Sequence, residues 1–391
     1  MTEQGAAALR DARDRFFRWL RDEAYPLWAR AGIDHDGFGF FEKITTDAAP
    51  VRVPRRARVI GRQIYAFSKS GDFGWNGPVK GLVRHGLSAL PRLLRREDGL
   101  VCTLVSDDGT PMGGRPDLYD QAFTLFGLAA ALPLVDEPVS LTAAADRLRG
   151  AVIAALAHPL AGFEEASPRT LPLKANPHMH MLEAALAWVE VSAGGVTDPA
   201  PWNALADQIA DLALARFIDP ATGALHEFFD GDWNRMGGEL AVVEPGHQFE
   251  WGWLLMRWGR MRGREDALET GKRLVHIGED HGLDPARGVL FAELHPDLSL
   301  RDPVSRLWPQ TERIKAWVLL AENAGGDAAL KDAALGKAAE AVNALMRYFR
   351  ADLPGSWFDR MTPDGALIEE PAPASSFYHI VCAAQVLKDH E

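Results

Sequence analysis

Three histidines stand where an imidazole could move protons. His247 lies in EPGHQFEWGW, where Pro245 and Gly246 fit a chain turning into a helix and Glu250 follows one turn later. Residues three apart share a helix face, so Glu250 can orient the imidazole or bind a hydroxyl. His379 lies in PAPASSFYHIVCAAQVL, after a loop of small residues and at the start of an apolar helical run. NPHMHMLEAALAW supplies Asn176, His178 and His180. Residues two apart on a helix point in different directions, whereas Asn176 and His180, four apart, share a face. His180 is therefore expected to face a cavity with Asn176, and His178 to be a rim or structural residue. The competing reading of each histidine is a satisfied core or capping group.

Arg62 in GRQIYAF offers fixed donors that suit hydroxyls or the oxygen of an enediolate; its alternative is a salt bridge at a helix start. Tyr119 with Asp120, and Trp308 with Glu312, add polar and stacking groups. There is no HExxH, no CxxC and no dense run of carboxylates, so a metal-dependent reaction is disfavoured. The absence of GxxxxGK[ST], of GxGxxG after a strand and of GxSxG removes support for nucleotide use and serine hydrolysis. Paired-acid glycoside hydrolysis stays open, with Asp120, Glu244, Glu250 and Glu312 as candidates, although the wealth of histidine argues against it.

The elements that must position these groups are helices. Segments 142–157, 202–217 and 328–349 are rich in Ala and Leu, with apolar residues three and four apart. Two-residue alternation is scarce. Gly/Pro/Asp stretches such as DHDGFGFFE, SDDGTPMGGRPD, DPATGALHEFFDGDWN and TPDGALIEEP read as turns or small hairpins at one rim. Taking Arg62, Gln121, His180, His247, Glu312 and His379 as markers, the gaps are 59, 59, 67, 65 and 67 residues. Each gap holds two helices and two loops. The expectation is six helical hairpins closed into inner and outer rings, an all-α (α/α)6 barrel forming one domain over 1–391. An open α-solenoid is the alternative, but it has no need for a polar–aromatic cluster in every unit.

Bulk properties narrow the partners. The 391 residues carry a formal charge of -12, and no basic block provides the footprint that nucleic acid requires. The acidic balance mildly favours a neutral ligand over a phosphorylated one, unless local arginines override it. Cys102 and Cys382 are too few for a disulfide framework or a structural zinc site. The first twenty residues mix both charge signs without an apolar core, and no stretch could span a bilayer. A cytoplasmic location is expected, and a homodimer is compatible with the sequence.

RQIYAF, LYDQAF, the Asn-x-x-x-His of NPHMHMLEA, EPGH followed by Glu, LWPQTE and SxFYHI together resemble the ordered motifs of the N-acylglucosamine 2-epimerase superfamily. The likeness runs from the helix around Trp28 and DGFGFFE to the final helix, and is greatest to the D-mannose isomerase and aldose–ketose isomerase branch. It implies cofactor-free, metal-free isomerisation or 2-epimerisation of a monosaccharide. It also implies His247 and His379 as the acid–base pair and His180 as the third histidine of the site. Arg62 would lie near the sugar oxygens, Glu250 would support the site, and Asn176, Tyr119, Trp308 and Arg235 would contact substrate. The chemistry implied is ring opening, removal of the C2 proton to give a cis-enediolate, and its return to C1 or C2. D-mannose to D-fructose isomerisation leads the expectations, with a sugar 2-epimerase (N-acylglucosamine, mannose/glucose or cellobiose type) second. A non-catalytic helical binding protein is the alternative from another class.

Overall fold

Leu and Ala at helical spacing, with Gly and Pro confined to the breaks, give fourteen α-helices among the described residues, 4–390 of the computed structural model. The ends of the expected 1–391 domain, residues 1–3 and 391, lie outside the described residues. In chain order, α1 (Gln4–Trp19) and α2 (Tyr25–Ala31) lie outside and α3 (Ala57–Ser68) inside. Helices α4 (Val79–Leu87) and α5 (Leu90–Leu93) are outer, α6 (Leu118–Ala131) is inner, and α7 (Pro138–Leu156) is outer. The alternation continues with inner α8 (Ala175–Ser192), outer α9 (Ala200–Leu212), inner α10 (Pro245–Arg262) and outer α11 (Glu265–Gly282). Inner α12 (Leu307–Glu322), outer α13 (Ala328–Met346) and inner α14 (Ala374–Asp389) complete it.

The inner helices pack in the order α3, α6, α8, α10, α12, α14 and back to α3, while α1 packs on α13 in the outer ring. This is the closed (α/α)6 barrel, not the open solenoid. Expected segments 142–157, 202–217 and 328–349 all fall on outer helices, where one face meets the core and the other meets water. The inner helices are buried on nearly every side, so they carry apolar residues all round.

The residues just before each inner helix pair with the loop ahead of the next inner helix. Arg55–Arg56 pair with Leu104–Val105, Leu173–Lys174 with Phe228–Phe229, and Ser305–Arg306 with Arg360–Met361. Single bridges do the same at Asp117↔Ala166 and Val243↔Leu294. The sixth, Lys43–Ile44 with Ala372–Pro373, joins the first hairpin to the last and closes the ring by hydrogen bonds. In five units the first N–H of the inner helix donates to a carbonyl of that neighbouring loop: Ala57 to Thr103, Leu118 to Glu165, Ala175 to Glu227, Leu307 to Asp359 and Ala374 to Glu42. The sixth inner helix opens on Pro245, which has no N–H to satisfy.

A second repeat lies at the fourth residue of four inner helices. Gln121 donates to the carbonyl of Asp117 and accepts from the N–H of Val101; Gln248 does so with Glu244 and Leu225, and Gln310 with Arg306 and Leu290. Gln121, one of the six sequence markers, therefore fastens a loop and does not face the cavity. His178 takes the same place in α8. Its Nδ1 lies 2.9 Å from the Lys174 carbonyl and its Nε2 accepts from the N–H of Phe163 at 3.0 Å. This pattern requires the neutral tautomer, and burial lowers its pKa to about 4. His178→Gln is expected to change stability by less than about 0.5 kcal/mol, while His178→Leu, which leaves a buried N–H without a partner, should cost about 1–3 kcal/mol. Urea denaturation of the two variants checks this.

Glycines let the inner ring close tightly. A Cβ on Gly127 would lie 2.8 Å from the Gly61 Cα, so α3 and α6 touch backbone to backbone. A Cβ on Gly252 would lie 2.9 Å from the Gly271 carbonyl oxygen, which sets the α10–α11 hairpin.

Candidate functional site

Because all inner helices begin at the same rim, equivalent positions stack as layers of six. Second residues form the outermost layer: Arg58, Tyr119, Asn176, Gly246, Trp308 and Ser375. One turn deeper, the sixth residues are Arg62, Phe123, His180, Glu250, Glu312 and His379. The ninth residues are Tyr65, Phe126, Glu183, Trp253, Lys315 and Cys382, and they form the floor. The steps of four and three residues keep one helix face on the axis. A cavity of about 180 Å³ lies in the first two layers, and Arg62, Tyr119, Asn176, His180, His247, Glu250, Trp308 and His379 all line it. Eight of the nine expected site residues thus meet in one place. Arg235 does not: its guanidinium donates to the Ile218 carbonyl and lies 3.7 Å from Asp219, tying down the hairpin that carries Glu227.

Each histidine is anchored by a glutamate. His247 Nδ1 lies 2.9 Å from Glu227 Oε2 and 3.7 Å from Glu244 Oε2. Burial alone would lower its pKa, but the Glu227 and Glu244 carboxylates outweigh that and push it up to about 10. His247 is therefore an imidazolium at neutral pH. Its Nε2 lies 3.3 Å from the Asn176 amide. With both ring nitrogens protonated, that amide must present its oxygen to Nε2, which also gives the otherwise unpaired Asn176 Oδ1 a partner.

His379 is the opposite case. Its Nδ1 lies 2.9 Å from Glu312 Oε1, while burial and the positive charges of Arg62 and Lys315 hold its pKa well below the usual value. Glu312 in turn is ion-paired with Lys315, fully buried and 4.2 Å from the Trp253 ring centroid. The imidazole is neutral with its proton on Nδ1, and Nε2 is left as a free base. His180 is also neutral: burial lowers its pKa to about 3 despite the Glu183 carboxylate 3.1 Å from Nδ1. Trp308 touches both members of the pair, its ring centroid 5.0 Å from His247 and 5.6 Å from His379. A proton donor and a proton acceptor thus face one small chamber.

Two further groups complete the polar set. Burial, with the nearby Glu312 charge, holds the Glu250 carboxyl well above its ordinary range, and neither oxygen has a hydrogen-bond partner among the described residues. Arg62 is 6% exposed and makes one side-chain hydrogen bond among the described residues, Nη2 to Tyr119 Oη at 2.7 Å, with its cation 4.1 Å from the Phe123 ring centroid. Inner-helix N-termini around the rim add positive potential for a developing oxyanion.

The sequence holds no dense run of carboxylates, but the fold gathers acidic and histidine side chains into trios. His180, Glu183 and Glu250 bring ligand atoms within 4.8 Å of one another, as do Glu227, Glu244 and His247, and Glu250, Glu312 and His379. These trios could hold a cation, but Nδ1 of each histidine is already hydrogen-bonded to a carboxylate.

Sequence reading missed Glu227, Glu183, Lys315, Arg306 and Ser376 as parts of the site or its support. A signal for Glu227 was present. The loop residue beside each inner-helix start is Glu42, Thr103, Glu165, Glu227, Glu293 or Asp359, with gaps of 61, 62, 62, 66 and 66, and five of these six are acidic.

The sequence profile of the N-acylglucosamine 2-epimerase (GlcNAc 2-epimerase) family matches residues 39–383. A protein of Rhizobium meliloti (strain 1021) named mannose-6-phosphate isomerase is 44% identical over 373 residues, covering 95% of each chain. The cellobiose 2-epimerase of Bacillus thermoamylovorans B4167 superposes with a TM-score of 0.82 at 18% identity, over 97% of this chain and 99% of that one. A D-mannose isomerase superposes with a TM-score of 0.81 at 18% identity, over 96% of both chains. At that identity the two structures speak to the fold alone.

Proposed function

The chain belongs to the N-acylglucosamine 2-epimerase family of sugar epimerases and isomerases, and we propose that it is an aldose–ketose isomerase converting D-mannose-type aldoses to the corresponding fructose. The observation that carries this reading is the opposed charge state of two histidines across one chamber, His247 protonated and His379 neutral. His247 Nε2 protonates the ring oxygen as the C1–O5 bond breaks and regains the proton of the O1 hydroxyl, which leaves an open-chain aldehyde and restores the imidazolium. His379 Nε2 takes the C2 proton once the carbonyl is polarised, giving a cis-enediolate. Arg62 supplies donors to the oxygens that gain charge, and Glu250, whose carboxyl is held above its ordinary range, favours the proton-bearing form that can do the same. Tyr119, Asn176 and Trp308 position the chain, and the whole of 1–391 acts as one catalytic domain.

Return of the proton to C1 is favoured by the same electrostatics. Epimerisation would need a second group to deliver a proton to the other face of C2. The candidate is His247, and giving its proton to carbon would leave a neutral imidazole between Glu227 and Glu244, the state those carboxylates oppose. His379 has no such constraint and can carry the proton from C2 to C1 while the O2 hydroxyl proton passes to O1, which makes C2 the ketone. The relative named mannose-6-phosphate isomerase, at 44% identity, supports the aldose–ketose side. Two buried, unpaired cysteines fit a reducing cytoplasm, and no helix among the described residues is long and apolar enough to cross a membrane.

Incubation with D-mannose, followed by chromatography of the products, tests the proposal. Fructose is expected. Glucose without fructose would sink the isomerase reading in favour of 2-epimerisation. Turnover is also expected to survive exhaustive chelation, and loss restored by a divalent metal would contradict the proton-only mechanism.

A further inference from the structure

The small chamber opens into a second space. A vestibule of about 560 Å³ shares Arg62, Tyr119, Asn176, Arg306 and Ser375 with the chamber wall, and so lies directly outside it. It is roughly three times the chamber's size, large enough for a part of the substrate beyond the reacting carbons. Its lining decides what that part is. Arg56, Arg58, Arg62, Arg115, Lys174 and Arg306 face Asp117 and Glu165 as the only lining carboxylates. In a chain of net charge -12 this is a local reversal of sign.

Some of these cations are spoken for. Arg56 is paired with Glu42, and Arg58 with Asp117 and Asp120. The others are held loosely or not at all. Arg306 approaches Asp359 only to 3.4 Å, and Lys174 approaches Glu165 to 3.5 Å. Arg115 is exposed, follows Gly113 and Gly114, and makes no ion pair among the described residues. Arg62, buried at the junction with the chamber, has no carboxylate partner and an unpaired Nε. A buried guanidinium without a counter-ion is costly unless a ligand supplies one. Burial also pushes Asp117 and Glu165 up to about 7, which removes part of the opposing negative charge near neutrality. A second sugar ring is a poorer occupant, because Tyr119 is the only aromatic side chain in this lining.

We propose that the vestibule is a subsite for a phosphate monoester at the end of the sugar remote from C1, with Arg115, Lys174 and Arg306 supplying the cations. The substrate class is then a 6-phosphorylated aldohexose. Its reacting end sits between His247 and His379 while its anion stays in the wider, wetter outer space. The local field overrides the acidic balance of the whole chain. The sugar's identity rests on the isomerase reading; the anion subsite does not, and binding tests it apart from turnover.

Calorimetric titration with D-mannose, D-mannose 6-phosphate and inorganic phosphate is the experiment. D-mannose 6-phosphate is expected to bind at least tenfold more tightly than D-mannose at low ionic strength, with the advantage shrinking as salt rises. Arg115→Glu and the double variant Arg115→Ala/Lys174→Ala are each expected to lose at least tenfold of that affinity. Arg115 has no ion pair to break, so its reversal tests charge without removing a structural contact. Equal affinity for the two sugars, or D-mannose 6-phosphate binding unchanged in both variants, would overturn the subsite. So would inorganic phosphate binding as tightly as the sugar phosphate, which would mark a free-phosphate site. Fructose formed from D-mannose without any phosphate preference would sink the subsite and leave the isomerase standing. Selective binding of the phosphorylated sugar with no ketose formed would do the reverse.

Discussion

Replacing His379 by asparagine is expected to lower kcat about 10²–10⁴-fold while the protein stays folded and still binds sugar. The side-chain amide of asparagine reaches the place of Nδ1, so it can keep donating to Glu312 Oε1, which sits 2.9 Å from that nitrogen in the native protein. What it lacks is Nε2, the free lone pair that faces the chamber. The buried Glu312–Lys315 pair therefore keeps its surroundings, and a loss of activity reports on the base and not on collapse of the ionic layer. Single-turnover measurement with sugar deuterated at C2 checks the assignment. The residual reaction should show a primary isotope effect, since proton removal becomes the slow step. A kcat within threefold of the native value would remove His379 from the role of base.

The second large effect is expected from Glu227→Gln, and it is a displacement in pH. Free-enzyme activity should fall on the acid side as His379 is protonated, below the ordinary histidine range, and on the alkaline side as His247 loses its proton near about 10. Removing the Glu227 charge removes a neighbour that favours the imidazolium, so the His247 pKa must fall. A drop of about two units would cut kcat/KM at pH 9 roughly tenfold and leave it little changed at pH 7. The acid limb should stay in place, because His379 is anchored by a different glutamate. The profile of kcat/KM from pH 5 to 10.5 reads both limbs, and an unmoved alkaline limb would detach Glu227 from His247. The same pair contributes to stability with a fixed sign. A raised folded-state pKa stabilises fully below the unfolded value near 6.5, and that contribution is lost as pH climbs through about 10.

Much of this was legible in the chain. The outer helices announced themselves because one face meets the core and one meets water, which leaves three- and four-residue periodicity in 142–157, 202–217 and 328–349. The inner helices carry weaker periodicity, being buried all round, but polar groups among aromatics marked them: Arg62, His180, Glu312 and His379 lie in one true layer. Two markers were out of register. Gln121 is a loop fastener two residues before Phe123, and His247 hangs from the rim three residues before the layer's own Glu250. A spacing near sixty residues tolerates such errors, since a slip of two or three hardly changes the period while it turns the side chain to another face. Arg235, expected from the family resemblance and not from any spacing, lies on the hairpin that carries Glu227 and outside the chamber lining.

The sequence by itself determined the six-hairpin ring, the placing of histidines and glutamates at inner-helix starts, and the position of nearly every expected site residue that lines the chamber. These are properties of residue type and spacing along single helices, and a helix converts spacing into direction by fixed geometry. Only the tertiary structure decided the protonation states. Whether His247 is an acid and His379 a base depends on Glu227 from a loop twenty residues away, and on Glu312 and Lys315 from the neighbouring helix. It likewise decided the sign of the local field, gathering scattered arginines at one mouth of an acidic protein. A pKa is set by burial and by charges within a few ångströms, and those distances exist only once the ring has closed.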